Sequence, residues 1–195
     1  MLDAALRLFL ERGYAATTIP AIADAAGVAV STIYWAFGSK REIVGEIREA
    51  WFAQAQTGER MREVLATDDP GARLEAYARF MGNQWAVGAE ALTIHQDAMH
   101  ADPEVAADIA IVLEGRAKSL RAVVEPLGPY LREPLTVDTA HDLLLALSIL
   151  ELYRELRGRG WSDDAYQAWL GGVLREQLLG RTPTDADGIV KAERV

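Results

Sequence analysis

The chain has 195 residues, half of them hydrophobic and a quarter charged, and its 29 acidic side chains outnumber 20 basic ones for a net charge of −9. That length supports one large or two small domains around a packed core. The absence of cysteine excludes disulfides, thiolate metal sites and cysteine nucleophiles, and the negative charge excludes a polyanion partner held by bulk attraction alone.

An opening helix places Leu2, Ala5, Leu6, Phe9 and Leu10 on one face and ends at Arg12-Gly13-Tyr14. Arg7, Glu11 and Arg12 interrupt it, so it does not read as a secretory signal. The most apolar run, Leu143 to Leu150, is far short of a membrane span. A cytoplasmic protein with no membrane partner is expected.

The stretch Thr18 to Phe37, TIPAIADAAGVAVSTIYWAF, organises the chain. Thr18 is suited to cap a short helix whose first turn holds Pro20, where a missing N–H costs nothing. Ile22, Ala23 and Ala26 share its inner face. Gly27 supplies the positive φ of a tight turn. Val28, Ile33, Tyr34 and Phe37 then give a second helix a buried side, and Val30, Ser31, Thr32, Trp35 and Ala36 form an outer surface sized for a major groove. Gly38 stops this helix, and Ser39-Lys40-Arg41-Glu42 has the pattern of a capping box. Lys40 therefore stands at a helix N-terminus, a place where N–H groups and an ammonium meet phosphate.

The helix from Lys40 is expected to reach about residue 65 through Ile43, Val44, Ile47, Trp51 and Phe52. After a turn at Thr67–Gly71, a helix carries Leu74, Tyr77, Ala78, Met81 and Trp85, and Gly88 is expected to interrupt it. Glu90 to His100 follows, with Leu92, His95 and Met99 on one face. Asp102-Pro103 opens a helix containing Val105, Ile109, Val112, Leu113, Leu120, Val123 and Val124. Pro126, Gly128, Pro129 and Pro134 mark a loop. Leu143 to Tyr153 reads as one helix apolar almost all round, hence buried on more than one side. Ser162 with Asp163 and Asp164 caps the last helix, whose Gly171-Gly172 suits close approach of a neighbour. No strand signal appears, so the fold class is all-α.

With LDAALRLFLERGYAATT, IADAAGV and STIYWAFGSK in order and spacing, the chain resembles the TetR/AcrR family of bacterial transcriptional regulators. The resemblance implies a three-helix helix-turn-helix head (1–46), a larger helical effector-binding and dimerisation body (47–181) and, by composition, a flexible tail (182–195). It implies a recognition helix at Val30 to Phe37 with Val30, Ser31, Thr32 and Trp35 nearest the bases. Thr17, Thr18, Tyr34 and Lys40 would hold the phosphate backbone, which fixes register, while groove contacts carry sequence information. The chain departs from the family at Ala29, where a capping Ser is common, at Val30, at Ala36, and in opening at Met1-Leu2-Asp3 without a basic arm. Residues 1–45 hold four basic and four acidic side chains (Arg7, Arg12, Lys40, Arg41; Asp3, Glu11, Asp24, Glu42), so the head is neutral and the remainder carries −9.

The expected function is a transcriptional regulator, a repressor, that binds a pseudo-palindromic operator as a homodimer and is released by a small apolar or aromatic effector. The alternative is a helical protein-interaction module whose head no longer binds DNA. The family places the effector cavity among the middle helices, and Tyr77, Phe80, Met81, Trp85, His95, Gln96 and Met99 are its candidate lining. A core role for His95, bonded to a backbone carbonyl, competes with this. The dimer is expected through the last two helices, at Leu143, Leu147, Leu150, Tyr153, Tyr166, Trp169, Leu170 and Leu174. His95 and His100 are five apart, a poor helical spacing for one ion, so no metal and no cofactor are expected. No Gly-rich phosphate loop and no paired nucleophile and base point to an enzyme.

Overall fold

The computed structural model describes residues 1–180; the tail expected over 182–195 lies outside the described residues. Ten α-helices follow one another: α1 (Leu2–Arg12), α2 (Ile19–Ala26), α3 (Val30–Phe37), α4 (Lys40–Gln54), α5 (Thr57–Ala66), α6 (Pro70–Ala101), α7 (Pro103–Val124), α8 (Val137–Leu147), α9 (Leu150–Gly158) and α10 (Asp163–Leu178), with a 3-10 turn at Glu125–Tyr130. The all-α expectation holds; the only extended pairing among the described residues is one antiparallel bridge between Leu131 and Leu179. No single described helix is long and apolar enough to cross a membrane.

Local chemistry starts at least half of these helices. Side-chain oxygens of Thr18, Ser39, Thr136 and Ser162 accept from the backbone N–H three residues on. The Asp102 carboxylate does the same for α7, accepting from Glu104 and Val105. Each such cap offsets donors that a helix leaves unpaired, a contribution of about 1 kcal/mol.

The chain divides into two compact units, one of residues 1–57 and 84–116, the other of 58–83 with the described residues from 117 onward. In the first unit, Ala5, Leu8 and Phe9 of α1, Ile22 and Ala23 of α2, Ile33 of α3 and Ile43, Val44 and Ile47 of α4 share one core with Ala91, Ile94 and Ala98 of α6 and Val105 and Ile109 of α7. In the second, α10 packs on α8 and α9, and Tyr166, Leu170, Leu174 and Leu178 of α10 are fully buried.

Three boundaries differ from the sequence reading. The helix expected from Lys40 to about residue 65 breaks at Ala55–Gln56, where Gln56 takes φ 52°. Gly88 does not interrupt α6. It lies inside a continuous helix, and the Trp51 indole occupies the space a side chain there would fill. The single helix expected over Leu143–Tyr153 is two, α8 and α9, parted at Ser148–Ile149. Ser148 is fully buried, donates to the Leu144 carbonyl and hydrogen-bonds the Tyr77 hydroxyl at 2.8 Å. Of the glycine pair, only Gly171 meets a neighbour, with Glu75 and Ala78 at 3.5–3.6 Å; nothing lies within 4 Å of Gly172.

Candidate nucleic-acid interface

The α2 and α3 axes meet at 105°, within the range of a helix-turn-helix. Gly27 makes the corner in the left-handed region (φ 68°, ψ 32°), and Val28 N–H returns to the Ala23 carbonyl at 3.0 Å. This six-to-one bond closes α2 and sets the direction of α3. Ile33, 1% exposed, anchors α3 in the core. The opposite face is open: Tyr34 is 53% and Trp35 89% exposed, and Val30, Ser31 and Ala36 are exposed as well. Thr32 is half-buried. Ala29 occupies the N-cap without a side-chain bond, so the first N–H groups of α3 are not claimed by a cap.

Behind this face lies a braced loop. Thr17 is 1% exposed, and its hydroxyl is turned inward onto the carbonyls of Gly13 (2.8 Å) and Leu8 (3.1 Å). The structure thus places Thr17 behind the surface, whereas Thr18, the α2 cap, is exposed. Lys40 donates to the carbonyls of Tyr14 (2.8 Å) and Thr17 (3.1 Å). An ammonium has three protons, so one remains to point elsewhere. Burial lowers the Lys40 pKa.

The sequence reading missed the grip on this loop from the α6–α7 corner. Asp97 accepts the Tyr14 backbone N–H at 2.5 Å and Asp102 accepts its hydroxyl at 2.8 Å. Arg41 makes a two-pronged pair with Asp108 (2.6 and 2.7 Å) and reaches Glu104 at 2.8 Å. Burial and the Asp102 bond raise the Tyr14 pKa, while that bond holds the Asp102 carboxyl low; the Arg41 bond holds Asp108 low. No local signal points from these acids to their partners, which lie 63 to 88 residues away.

The predicted ligand residues divide. Tyr77, Phe80 and Met81 are buried in the second unit. Trp85, His95, Gln96 and Met99 belong to the first, where Met99 packs on the shared core. Trp85 Nε1 and Arg116 Nη2 are buried donors with no acceptor among the described residues, and the guanidinium lies 6.0 Å from the indole ring. His95 Nδ1–H donates to the Ala91 carbonyl, one turn back, and His100 repeats the pattern with Gln96. Of the predicted dimer residues, Leu150, Tyr153, Tyr166, Leu170 and Leu174 are buried within one chain, and Leu143, Leu147 and Trp169 are half-buried.

Residues 1–47 match the family described as bacterial regulatory proteins, tetR family. The HTH-type transcriptional repressor KstR2 of Rhodococcus jostii (strain RHA1) is 39% identical over 98 residues, 50% of this chain and 47% of that one. The chain therefore spans about half the length of that relative. Two solved structures share its fold: the ketosteroid transcriptional regulator KstR2 of Mycobacterium tuberculosis, with TM-score 0.69, 23% identity and 92% and 93% of the two chains covered, and FadR from Bacillus subtilis in complex with stearoyl-CoA, with TM-score 0.65, 21% identity and 89% and 95% covered. The order of α1 to α4 and the Gly27 corner agree with the match of residues 1–47 to the tetR family of bacterial regulatory proteins, and the solved structures share the fold of the described chain.

Proposed function

We propose that the protein is a transcriptional repressor that binds a pseudo-palindromic operator as a homodimer and leaves it when a small apolar or aromatic molecule binds. The observation that carries this is the two-faced α3, with Ile33 locked inside and Trp35 almost wholly in solvent. A large aromatic left bare beside Ser31 and Tyr34 suits insertion into a groove, where its face meets thymine methyls and its neighbours meet base edges and phosphate. In this reading Thr18, Tyr34 and the third proton of Lys40 touch phosphate, Thr17 supports them from within, and Val30, Ser31, Thr32 and Trp35 read bases. The head is residues 1–46 and the body 47–181.

The neutral head limits how many phosphates are neutralised, so non-specific affinity is modest and weakly salt-dependent. Two heads on one dyad need half-sites about one helical turn, roughly 34–36 Å, apart. Support for an effector comes from the unmatched donors of Trp85 and Arg116, which suit a ligand with an acceptor group on an apolar frame. Relatives named for a ketosteroid and solved with stearoyl-CoA are consistent with such chemistry. Action on chromosomal DNA places the protein in the cytoplasm.

Band shifts on the DNA flanking its own gene, at several salt concentrations, test the core of this. Retarded DNA that survives competitor and is lost in Trp35→Ala is the expected result. Binding of no fragment at any salt concentration would leave the protein-interaction reading. An effector is recognised by reciprocity: a molecule that releases operator must bind less tightly when operator is present.

A further inference from the structure

Within the first unit, a cleft of about 640 Å³ opens between α4 and α7, a volume in the usual range for small ligands of about 300–1,000 Å³. Phe37, Val44, Val105, Ile109 and Val112 give it an apolar wall; Arg41, Arg48 and Asp108 stand among them. His95 of α6 completes the wall although it is only 4% exposed.

Both ring nitrogens face backbone carbonyls, Nδ1 that of Ala91 and Nε2 that of Val44, and only the Nδ1 contact has hydrogen-bond geometry. Nδ1 lies 2.5 Å from the Ala91 carbonyl, which can only accept, so Nδ1 carries the proton. Nε2 of the neutral ring is then an acceptor, and it is buried with no donor among the described residues. The Val44 carbonyl near it is another acceptor and would suit only the doubly protonated ring, a form that burial and the Arg48 charge oppose. A buried acceptor without a donor is unfavourable, and a ligand that supplies one recovers the loss. His95 lines the cleft, and its Nε2 is buried. Arg48, a long side chain in the same wall, is held by the exposed Glu49 beside it. Such a surface pair is weak enough to yield.

We propose that this cleft binds a small apolar molecule with a hydroxyl donor, a phenol or comparable alcohol, its hydroxyl on His95 Nε2 and its body against Val44, Ile109 and Val112. This takes His95 from the candidate effector lining and places it in the cleft, apart from the unmatched donors of Trp85 and Arg116. Its consequence for DNA rests on the repressor reading: Arg41 and Asp108, both in the cleft wall, tie α4 to α7, and a ligand wedged between these helices works against that tie.

The test titrates the full chain with phenol, 2-naphthol and 4-phenylphenol, each against its methyl ether, by calorimetry and by ¹⁵N NMR of the His95 ring. At least one phenol is expected to bind saturably, about tenfold or more tighter than its ether, and to move the Nε2 resonance. His95→Phe should abolish the preference, and Val112→Trp, which fills the cleft from α7, should abolish binding. Circular-dichroism melts establish that the variants fold; the wild-type comparison decides the matter even where one does not. Absence of saturable binding by all three phenols, equal binding of phenol and ether, or an unmoved Nε2 resonance overturns the proposal. Operator binding is read separately on ligand-free protein, so a failed cleft leaves the repressor reading standing, and a failed band shift leaves the cleft.

Discussion

The Lys40 ammonium lies 3.9 Å from the centre of the Tyr14 ring while donating to the carbonyl of the same residue. One side chain at the start of α4 thus holds both the backbone and the ring of the loop that precedes α2. Lys40→Ala should therefore do two things. It should lower stability by about 1.5–3 kcal/mol through the lost charged hydrogen bonds, and, if Lys40 holds phosphate as proposed, reduce the salt slope of operator binding by about one unit. A lowered melt with an unchanged slope would make Lys40 a brace alone.

Trp35→Ala should leave thermal stability within about 0.5 kcal/mol of the parent, as expected for a bare surface position. Operator affinity should nevertheless fall by about 1–3 kcal/mol, and preference among operator variants should change. Melting curves and band shifts on the same preparations check both. Unaltered affinity would take α3 out of the groove.

Association and folding are separable at the C-terminal helices. Leu147→Glu and Trp169→Glu alter half-buried positions and should yield folded monomers that no longer hold operator. Leu150→Glu and Leu174→Glu instead place a charge at positions 1% and 0% exposed inside a single chain, and should unfold the body, since an unpaired buried charge costs several kcal/mol. Sedimentation beside circular dichroism distinguishes the outcomes; folded monomers from Leu174→Glu would contradict the core assignment.

Acid should loosen the grip of the α6–α7 corner. Asp102 and Asp108 are held below the usual carboxylate range, chiefly by the Tyr14 hydroxyl and by Arg41. A carboxylate with a depressed folded pKa adds stability that is present above its ordinary value, near 4, and lost as pH falls through the folded value. Hydrogen exchange at the Tyr14 amide, bonded to Asp97, should lose protection below about pH 4, and Asp108→Asn should flatten that dependence. Full protection at pH 3 would show that the corner is held by packing alone.

Gly88→Ala should destabilise even though alanine favours a helix by about 1 kcal/mol. The added methyl would collide with the Trp51 indole, whose N–H is bonded to the Gln84 carbonyl at 3.1 Å. A net loss of about 1–3 kcal/mol is expected from overpacking, and denaturant unfolding measures it. A gain in stability would show that the indole moves freely.

What the sequence shows well is what neighbouring residues decide. Thr18, Gly27, Ser39, Asp102 and Ser162 mark helix ends through bonds to residues within five positions, and α1 to α4 follow from them. Spacing finds most of the exposed face of α3 but misassigns Tyr34, which it puts on the buried side and which is 53% exposed. What it hides is decided at a distance. Gly88 reads as an interruption until Trp51 lies across it, 37 positions away. Ser148 reads as a polar spot in one helix, yet its bond to Tyr77, 71 residues earlier, sits where the helix divides. Thr17 has the chemistry of a phosphate contact, and only the packing of α1 against its loop turns that hydroxyl inward. Of the acids that grip Tyr14 and Arg41, Asp102 is marked locally as a helix cap, but nothing local points to its bond with Tyr14, and the others carry no local pattern.

The bareness of Trp35 also makes the molecule its own optical probe. Of five tryptophans, Trp51, Trp85, Trp161 and Trp169 are at least half-buried and each has an aromatic ring beside it, whereas Trp35 stands in water. Iodide should quench its emission selectively and shift the remaining spectrum to the blue. DNA that covers α3 should shield it from the quencher, giving a titration signal for operator occupancy without any attached dye.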